Sequence, residues 1–216
     1  MAPKRLRVGV LISGSGTNLQ ALIDACAAPN FPAEIVLVIS NRADAGGLAR
    51  AERAAIPAQV ISHKDYETRE IFDLTVDAAL RAAQVEFICL AGFMRLLTPG
   101  FVKAWRDRLI NIHPSLLPLF KGTDAVAQAL AAGVTRAGCT VHFVRPEMDS
   151  GPIILQTEVP VEKSDTIETL HTRIQQAEHH CYPKALRMVA EGRIAVKDEK
   201  IVFLRHQPTI STSAKK

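Results

Sequence analysis

At 216 residues, 48% hydrophobic and 22% charged, the chain has the length of one large α/β domain and ordinary globular composition, which excludes disordered and fibrous classes. Its 26 Lys and Arg exceed 22 Asp and Glu, a formal +4 that suits an anionic small molecule; scattered as they are, with only eight Phe, two Tyr and one Trp to stack on bases, they argue against nucleic acid. No apolar run approaches the roughly 18 residues needed to span a membrane, and Cys26, Cys89, Cys139 and Cys181 stand far apart, as reduced thiols of a cytosolic protein do and disulfide frameworks or zinc sites do not.

Met1 to Arg7 imitates the charged start of a signal peptide, but Val8–Ile12 is too short for its apolar segment. Leu6–Ile12 predicts a strand, followed by Ser13-Gly14-Ser15-Gly16-Thr17-Asn18 and a helix over Asn18–Ala28. A glycine-rich turn between a strand and a helix N-terminus leaves backbone N–H groups aimed at one point, where the helix dipole favours an anion. The loop therefore predicts a phosphate site, with a plain tight turn as the alternative. A dinucleotide fingerprint would need Gly or Ala at Leu19 and an acid ending the second strand, where the chain reads Ser40-Asn41-Arg42. A 2′-phosphorylated nicotinamide cofactor stays open as a lesser reading, whereas a triphosphate P-loop lacks its Lys-Ser/Thr pair.

Further strands are expected over Glu34–Ile39, Ala58–Ile61, Glu86–Ala91, Arg108–His113, Gly138–Val144 and Ile153–Val159, with helices over Asp44–Ala55, Asp65–Ala83, Pro99–Trp105 and Asp124–Ala132. Thr98 precedes Pro99 as a capping hydroxyl. A long helix should run from Asp165, with Glu168 completing a capping box, to Gly192, kinked or split at Pro183. Arg193–Val196 and Ile201–Leu204 predict a terminal hairpin, and Thr209–Lys216 a frayed tail. This alternation predicts an α/β fold, a doubly wound, mostly parallel sheet of about seven strands, organised as one domain.

The strongest chemical signal is Leu109-Ile110-Asn111-Ile112-His113-Pro114-Ser115-Leu116-Leu117-Pro118. Period-two geometry puts Asn111 and His113 on one side near a strand's C-terminal end, where α/β sheets place ligand chemistry. A buried, locally satisfied Asn and His is the alternative. Asp149 lies in Met148-Asp149-Ser150-Gly151-Pro152, where a local turn explains it; folded over the sheet, the same segment would bring it to His113 and fix the imidazole.

Taken together, the Ser13–Asn18 loop, Leu90-Ala91-Gly92-Phe93-Met94-Arg95, the Asn111–Pro118 run and Met148–Ile154 resemble the phosphoribosylglycinamide formyltransferases, folate-dependent enzymes of purine biosynthesis. The similarity runs from about Leu6 to Gly192, and the length leaves no room for the extra domains of methionyl-tRNA formyltransferase or formyltetrahydrofolate hydrolase. It implies a Rossmann-like formyltransferase fold with a nucleotide half over 6–110, a folate and catalytic half over 111–192 and a hairpin and tail over 193–216. It also implies 10-formyltetrahydrofolate as co-substrate, glycinamide ribonucleotide as acceptor and no metal, in a cytoplasmic monomer or homodimer. Asn111, His113 and Asp149 match the family's catalytic trio. Gly16, Thr17 and Asn18, with Gln175, Gln176, Ala177 and Glu178, match its ribonucleotide site. Arg69, Met94, Arg95, Leu96 and Leu97, together with Asn111 and the loop Arg145, Pro146, Glu147, Met148 and Asp149, match its folate site. On its own spacing, Arg69 would pair with Asp65 or Asp73 on a helix surface, and Glu178 would be a solvated helix residue. The resemblance also suggests a cis Leu117–Pro118 bond. Two departures stand out: Ser15 replaces a common Asn, and Lys121-Gly122-Thr123-Asp124 stands where relatives often carry a Gly-Leu-His-Thr run, which suggests a phosphate-steering role for Lys121.

Overall fold

The computed structural model describes residues 4–204. Strand β1 (Leu6–Ile12) is apolar on both sides: Val8, Val10 and Ile12 face one core cluster and Leu11 the other. The pattern repeats in β2 (Ala33–Ser40) and β4 (Phe87–Leu90), as expected of strands covered on both faces. With β3 (Ala58–Val60), β5 (Leu109–His113), β6 (Arg136–Phe143) and β7 (Ile153–Pro160) they form one seven-stranded sheet in the order β3-β2-β1-β4-β5-β6-β7. Pairing is parallel from β3 through β5, and β6 runs antiparallel to both β5 and β7. The helices are α1 (Thr17–Ala27), α2 (Gly46–Arg53), α3 (Arg69–Ala82), α4 (Pro99–Ala104), α5 (Ala125–Ala131) and α6 (Ile167–Ala190); the hairpin β8 (Ile194–Lys197) and β9 (Lys200–Phe203) follows. Helices α1 and α6 cover one face, and α3 and α4 the other, where Trp105 is buried under the Arg81 and Arg108 guanidinium groups. All four cysteines are buried and unbridged.

The strand order reverses between β1 and β4, so the loops after these two strands flank a topological switch point. They are tied together there. The Ser13 amide donates to the Gly92 carbonyl at 3.1 Å, and the Ser13 hydroxyl accepts from the Met94 amide at 2.7 Å while donating to Asn41 Oδ1 at 2.6 Å.

Several boundaries differ from expectation for local reasons. The helix expected from Asp65 is a 3₁₀ turn over His63–Asp65, and α3 starts only at Arg69, because the Thr68 hydroxyl caps it by accepting from the Ile71 amide. The capping box of α6 is Thr166 with Thr169, while Asp165 receives both Arg173 guanidinium nitrogens at 2.6 and 3.0 Å. Pro183 does not split α6: it costs one helical N–H, but Ile174, Cys181, Tyr182, Ala185 and Leu186 on either side of it remain buried along the sheet. Thr98 and Pro99 start α4 as expected. Among the described residues no helix is long and apolar enough to cross a membrane. The tail Thr209–Lys216 lies outside the described residues.

Candidate active site

Asn111 and His113 lie on β5 on the same side as Leu109, at the strand's C-terminal end. The antiparallel register sets His142 of β6 directly opposite Asn111, and Thr140 opposite His113. Thr140 then fixes the loop after β5: its hydroxyl donates to the Ser115 carbonyl at 2.6 Å and accepts from the Leu117 amide at 3.1 Å. Leu117–Pro118 is cis.

The segment after β6 leaves at the level of Leu109, where the Val144 amide meets the Leu109 carbonyl, and turns back over the sheet. Its base is narrow. The Phe143 amide donates to the Pro152 carbonyl, and a Cβ on Gly151 would stand 1.7 Å from the Phe143 carbonyl oxygen. This fold-back carries Asp149, at φ 50°, between two imidazoles, with its side chain only 9% exposed. Its Oδ2 is 3.6 Å from His113 Nδ1 and accepts the Gly122 amide at 2.8 Å, and its Oδ1 is 3.7 Å from His142 Nε2. The turn reading of Asp149 and the convergent reading are thus both satisfied by one loop.

The three predicted residues are brought together, but through partners that the letters did not reveal. His113 Nε2 is 2.9 Å from the carbonyl of Phe120, a residue in left-handed conformation at φ 53°. Asn111 Nδ2 lies 3.5 Å from His142 Nε2. His142 is held below its usual range, foremost by burial, against the opposing pull of the Phe143 carbonyl and Asp149. As a neutral ring donating from Nδ1 to the Phe143 carbonyl, 2.9 Å away, it offers Nε2 as an acceptor and so orients the Asn111 amide. Sequence reasoning missed His142 as a site residue. The signal was a histidine in an apolar strand, but its position opposite Asn111 needs the β5–β6 register.

On the other side of the switch point, Gly16 caps α1 in left-handed conformation, φ 71°. Thr17 and Asn18 head the helix, so their amides have no intrahelical acceptor. The loop packs on the start of α2, with the Gly47 amide donating to the Gly14 carbonyl and Arg50 Nε to the Ser15 carbonyl at 2.8 Å. An open cleft of about 380 Å³ beside it is lined by Thr17, Gln20, Arg50 and His179, among others.

Asn18 Nδ2 donates to Glu178 Oε2 at 2.8 Å, which joins α1 to α6, and Asn18 Oδ1 is buried without a partner among the described residues. Glu178 is not the solvated helix residue its spacing allows: it is 7% exposed, and burial pushes its carboxyl up to about 7 against the Asn18 hydrogen bond. Gln175 is half-buried one turn away on the same helix face, Gln176 is exposed, and Ala177 packs against the core.

The weakened acidity of Glu178 has a stability consequence. The folded state holds this proton more tightly than the unfolded chain, so the contribution is complete below about pH 4.5 and lost as pH rises through about 7. Glu178→Gln keeps an acceptor for Asn18 without the charge. It should be more stable than the parent above pH 7, by on the order of 3 kcal/mol, with the advantage vanishing towards pH 4.5. Urea unfolding at pH 5 and pH 8.5 measures this.

The residues expected at a folate site are spread over two loops and the start of α3. Met94 and Leu96 are 74% and 61% exposed, Arg95 is half-buried with its Nε unpartnered among the described residues, and Leu97 packs against the α3–α4 core. The Met94 amide is already engaged by Ser13. Arg69 is exposed at the head of α3, and among the described residues no carboxylate pairs with it: Asp65 lies outside the helix, and Asp73 turns inward to accept the Thr98 amide at 2.6 Å. Pro146, Glu147 and Met148 are exposed. Arg145 is the exception. Only 8% of its side chain is exposed, and its guanidinium is held by Asp107 and Glu199, each 2.6 Å distant. Among the described residues no group of three His, Cys, Asp or Glu side chains is arranged to hold a metal ion.

Comparison with known proteins gives this arrangement its context. A family profile described as "Formyl transferase" matches residues 6–186. The chain is 54% identical to the trifunctional purine biosynthetic protein adenosine-3 of Bos taurus over 89% of its own length, but spans only 19% of that relative. It is 43% identical to the phosphoribosylglycinamide formyltransferase of Haemophilus influenzae, covering 89% of this chain and 91% of that one. The crystal structure of glycinamide ribonucleotide transformylase 1 from Symbiobacterium toebii superposes with a TM-score of 0.91 at 49% identity, covering 93% and 95% of the two chains.

Proposed function

Because the chain belongs to the formyl transferase family, we propose that it moves the formyl group of 10-formyltetrahydrofolate to the amine of glycinamide ribonucleotide, a step of purine biosynthesis. The observation that carries this reading is the convergence of Asn111, His113 and Asp149 at the C-terminal end of β5, in a chain whose glycine loop opens at the same sheet edge. In this reading the glycine loop of the first half and Glu178 of α6 hold the ribonucleotide, and the second half supplies the catalytic trio.

The ribonucleotide phosphate sits at the head of α1, against the amides that follow Gly16, and Glu178 receives the substrate's amino group. The pterin lies along the segment after Phe93 and the loop before Asp149, where Met94, Leu96 and Met148 offer exposed apolar surface. The amine nitrogen attacks the formyl carbon. Charge develops on the formyl oxygen, where the Asn111 amide and the protonated His113 imidazole donate; each such donor is worth about 10²–10³ in rate. His113 Nε2 exchanges the Phe120 carbonyl for this oxygen. Asp149 balances the imidazolium charge and passes the proton leaving the amine, through water, to N10. The C–N10 bond then breaks, releasing tetrahydrofolate and the N-formyl product. His142, neutral, keeps the Asn111 amide aimed.

The test is steady-state turnover with 10-formyltetrahydrofolate while glycinamide ribonucleotide is varied. Tetrahydrofolate should form at a rate that saturates with the amine. Release of formate at a rate indifferent to the amine would instead indicate a hydrolase working with the same trio.

A further inference from the structure

The hairpin β8–β9 follows residues 6–186, the span that the family profile matches, and it reaches the root of the loop that carries Asp149. Its turn residues, Asp198 and Glu199, both adopt left-handed backbone, φ 49° and 56°. A two-residue hairpin of that geometry ordinarily selects Asn and Gly, and Glu is a poor occupant. Strain of this kind persists where the surroundings over-determine it. Here they do: Glu199 Oε2 accepts from Arg145 Nε at 2.6 Å, and its Oε1 pairs with Arg106.

Arg145 is held on three sides. Its Nη2 donates to Asp107 Oδ1 at 2.6 Å and its Nη1 to the Val144 carbonyl at 3.0 Å. Asp107, at φ 58°, lies in the turn that leads into β5. One buried guanidinium therefore joins three separate segments: the turn before the Asn111–His113 strand, the loop that ends in Asp149, and the terminal hairpin. We propose that Glu199 and Asp107, acting through Arg145, are positioning residues that fix the root of the 144–152 loop, so that its far end presents Asp149 to His113 and forms the formyl-donor site. This rests on the functional reading above.

The assignment separates one substrate from the other. The loop belongs to the donor side, whereas the head of α1 and Glu178 are held by other contacts. Glu199→Ala should raise KM for 10-formyltetrahydrofolate about fivefold and lower kcat by a similar factor, while KM for glycinamide ribonucleotide stays within about twofold. Glu199→Asp, which keeps the charge, should recover part of the loss. Asp107→Asn approaches the guanidinium from the other side with a residue that tolerates the left-handed backbone, and it should shift the same constant even where a hairpin variant folds poorly. Direct titration of each variant with 10-formyltetrahydrofolate reads the same effect without turnover, so a failure of the acceptor assignment would not disguise the result. An unchanged donor KM and Kd in both Glu199→Ala and Asp107→Asn, or equal rises for both substrates, would overturn the proposal and leave Arg145 a structural ion pair.

Discussion

Asp149→Asn should lower kcat by about 10³ with the fold intact, within the 10²–10⁴ attributed to a positioned proton-transfer group. The substitution is clean for reasons specific to the site. Asn can accept the Gly122 amide as Asp149 Oδ2 does, so the loop keeps its anchor. Asn also tolerates the left-handed backbone at φ 50° better than most residues. What disappears is a negative charge 3.6 Å from His113 Nδ1 and 3.7 Å from His142 Nε2, and with it the carboxylate to which the proposed mechanism assigns the proton relay. If Asp149 and His113 work as a unit, Asp149→Asn combined with His113→Ala should fall little below either single variant. Single-turnover rates together with thermal unfolding test this. Near-normal kcat in Asp149→Asn would remove the carboxylate from the mechanism.

Gly16→Val should raise KM for the ribonucleotide by about 100-fold, the loss of two or so charge-assisted hydrogen bonds, while donor KM changes little. Two constraints act at this glycine. Its φ of 71° is strained for a β-branched residue, and an added Cβ would stand 2.5 Å from the Gly47 Cα, so the loop must leave the start of α2. The amides of Thr17 and Asn18 would then no longer point at one place. Gly14 supplies the control, since a Cβ there meets nothing within 4 Å. Gly14→Ala should leave both constants within about threefold, as a surface change with no new clash does. An unchanged ribonucleotide KM in Gly16→Val would contradict the phosphate assignment of the loop.

What the letters revealed and what they hid follow from the range of the interactions involved. Strands β1, β2 and β5 read directly because each is a continuous or alternating apolar run bounded by polar turns, and the Thr98-Pro99 start of α4 is a local hydroxyl-to-amide bond. The start of α3 was misplaced because Thr68 and Ser62 offer competing caps only a few residues apart. Pro183 does not split α6, because the rule for an isolated helix ignores the sheet packed along it. At the site, Asn111 and His113 were visible as a period-two pair. The role of His142 depends on an antiparallel register, the burial of Glu178 on the approach of α1 to α6, and the pairing of Arg145 on a hairpin 54 residues later in the chain. Those are distant pairings, and spacing carries no record of them.

The fate of a labelled formyl carbon tests the central claim most directly. With 10-formyltetrahydrofolate carrying ¹³C in the formyl group, enzyme in excess and glycinamide ribonucleotide present, the carbon resonance should move from the folate N10 amide to the N-formyl product in a single turnover, with no labelled formate. Label that emerges as formate whether or not the amine is present, or that stays on the folate, would contradict the account.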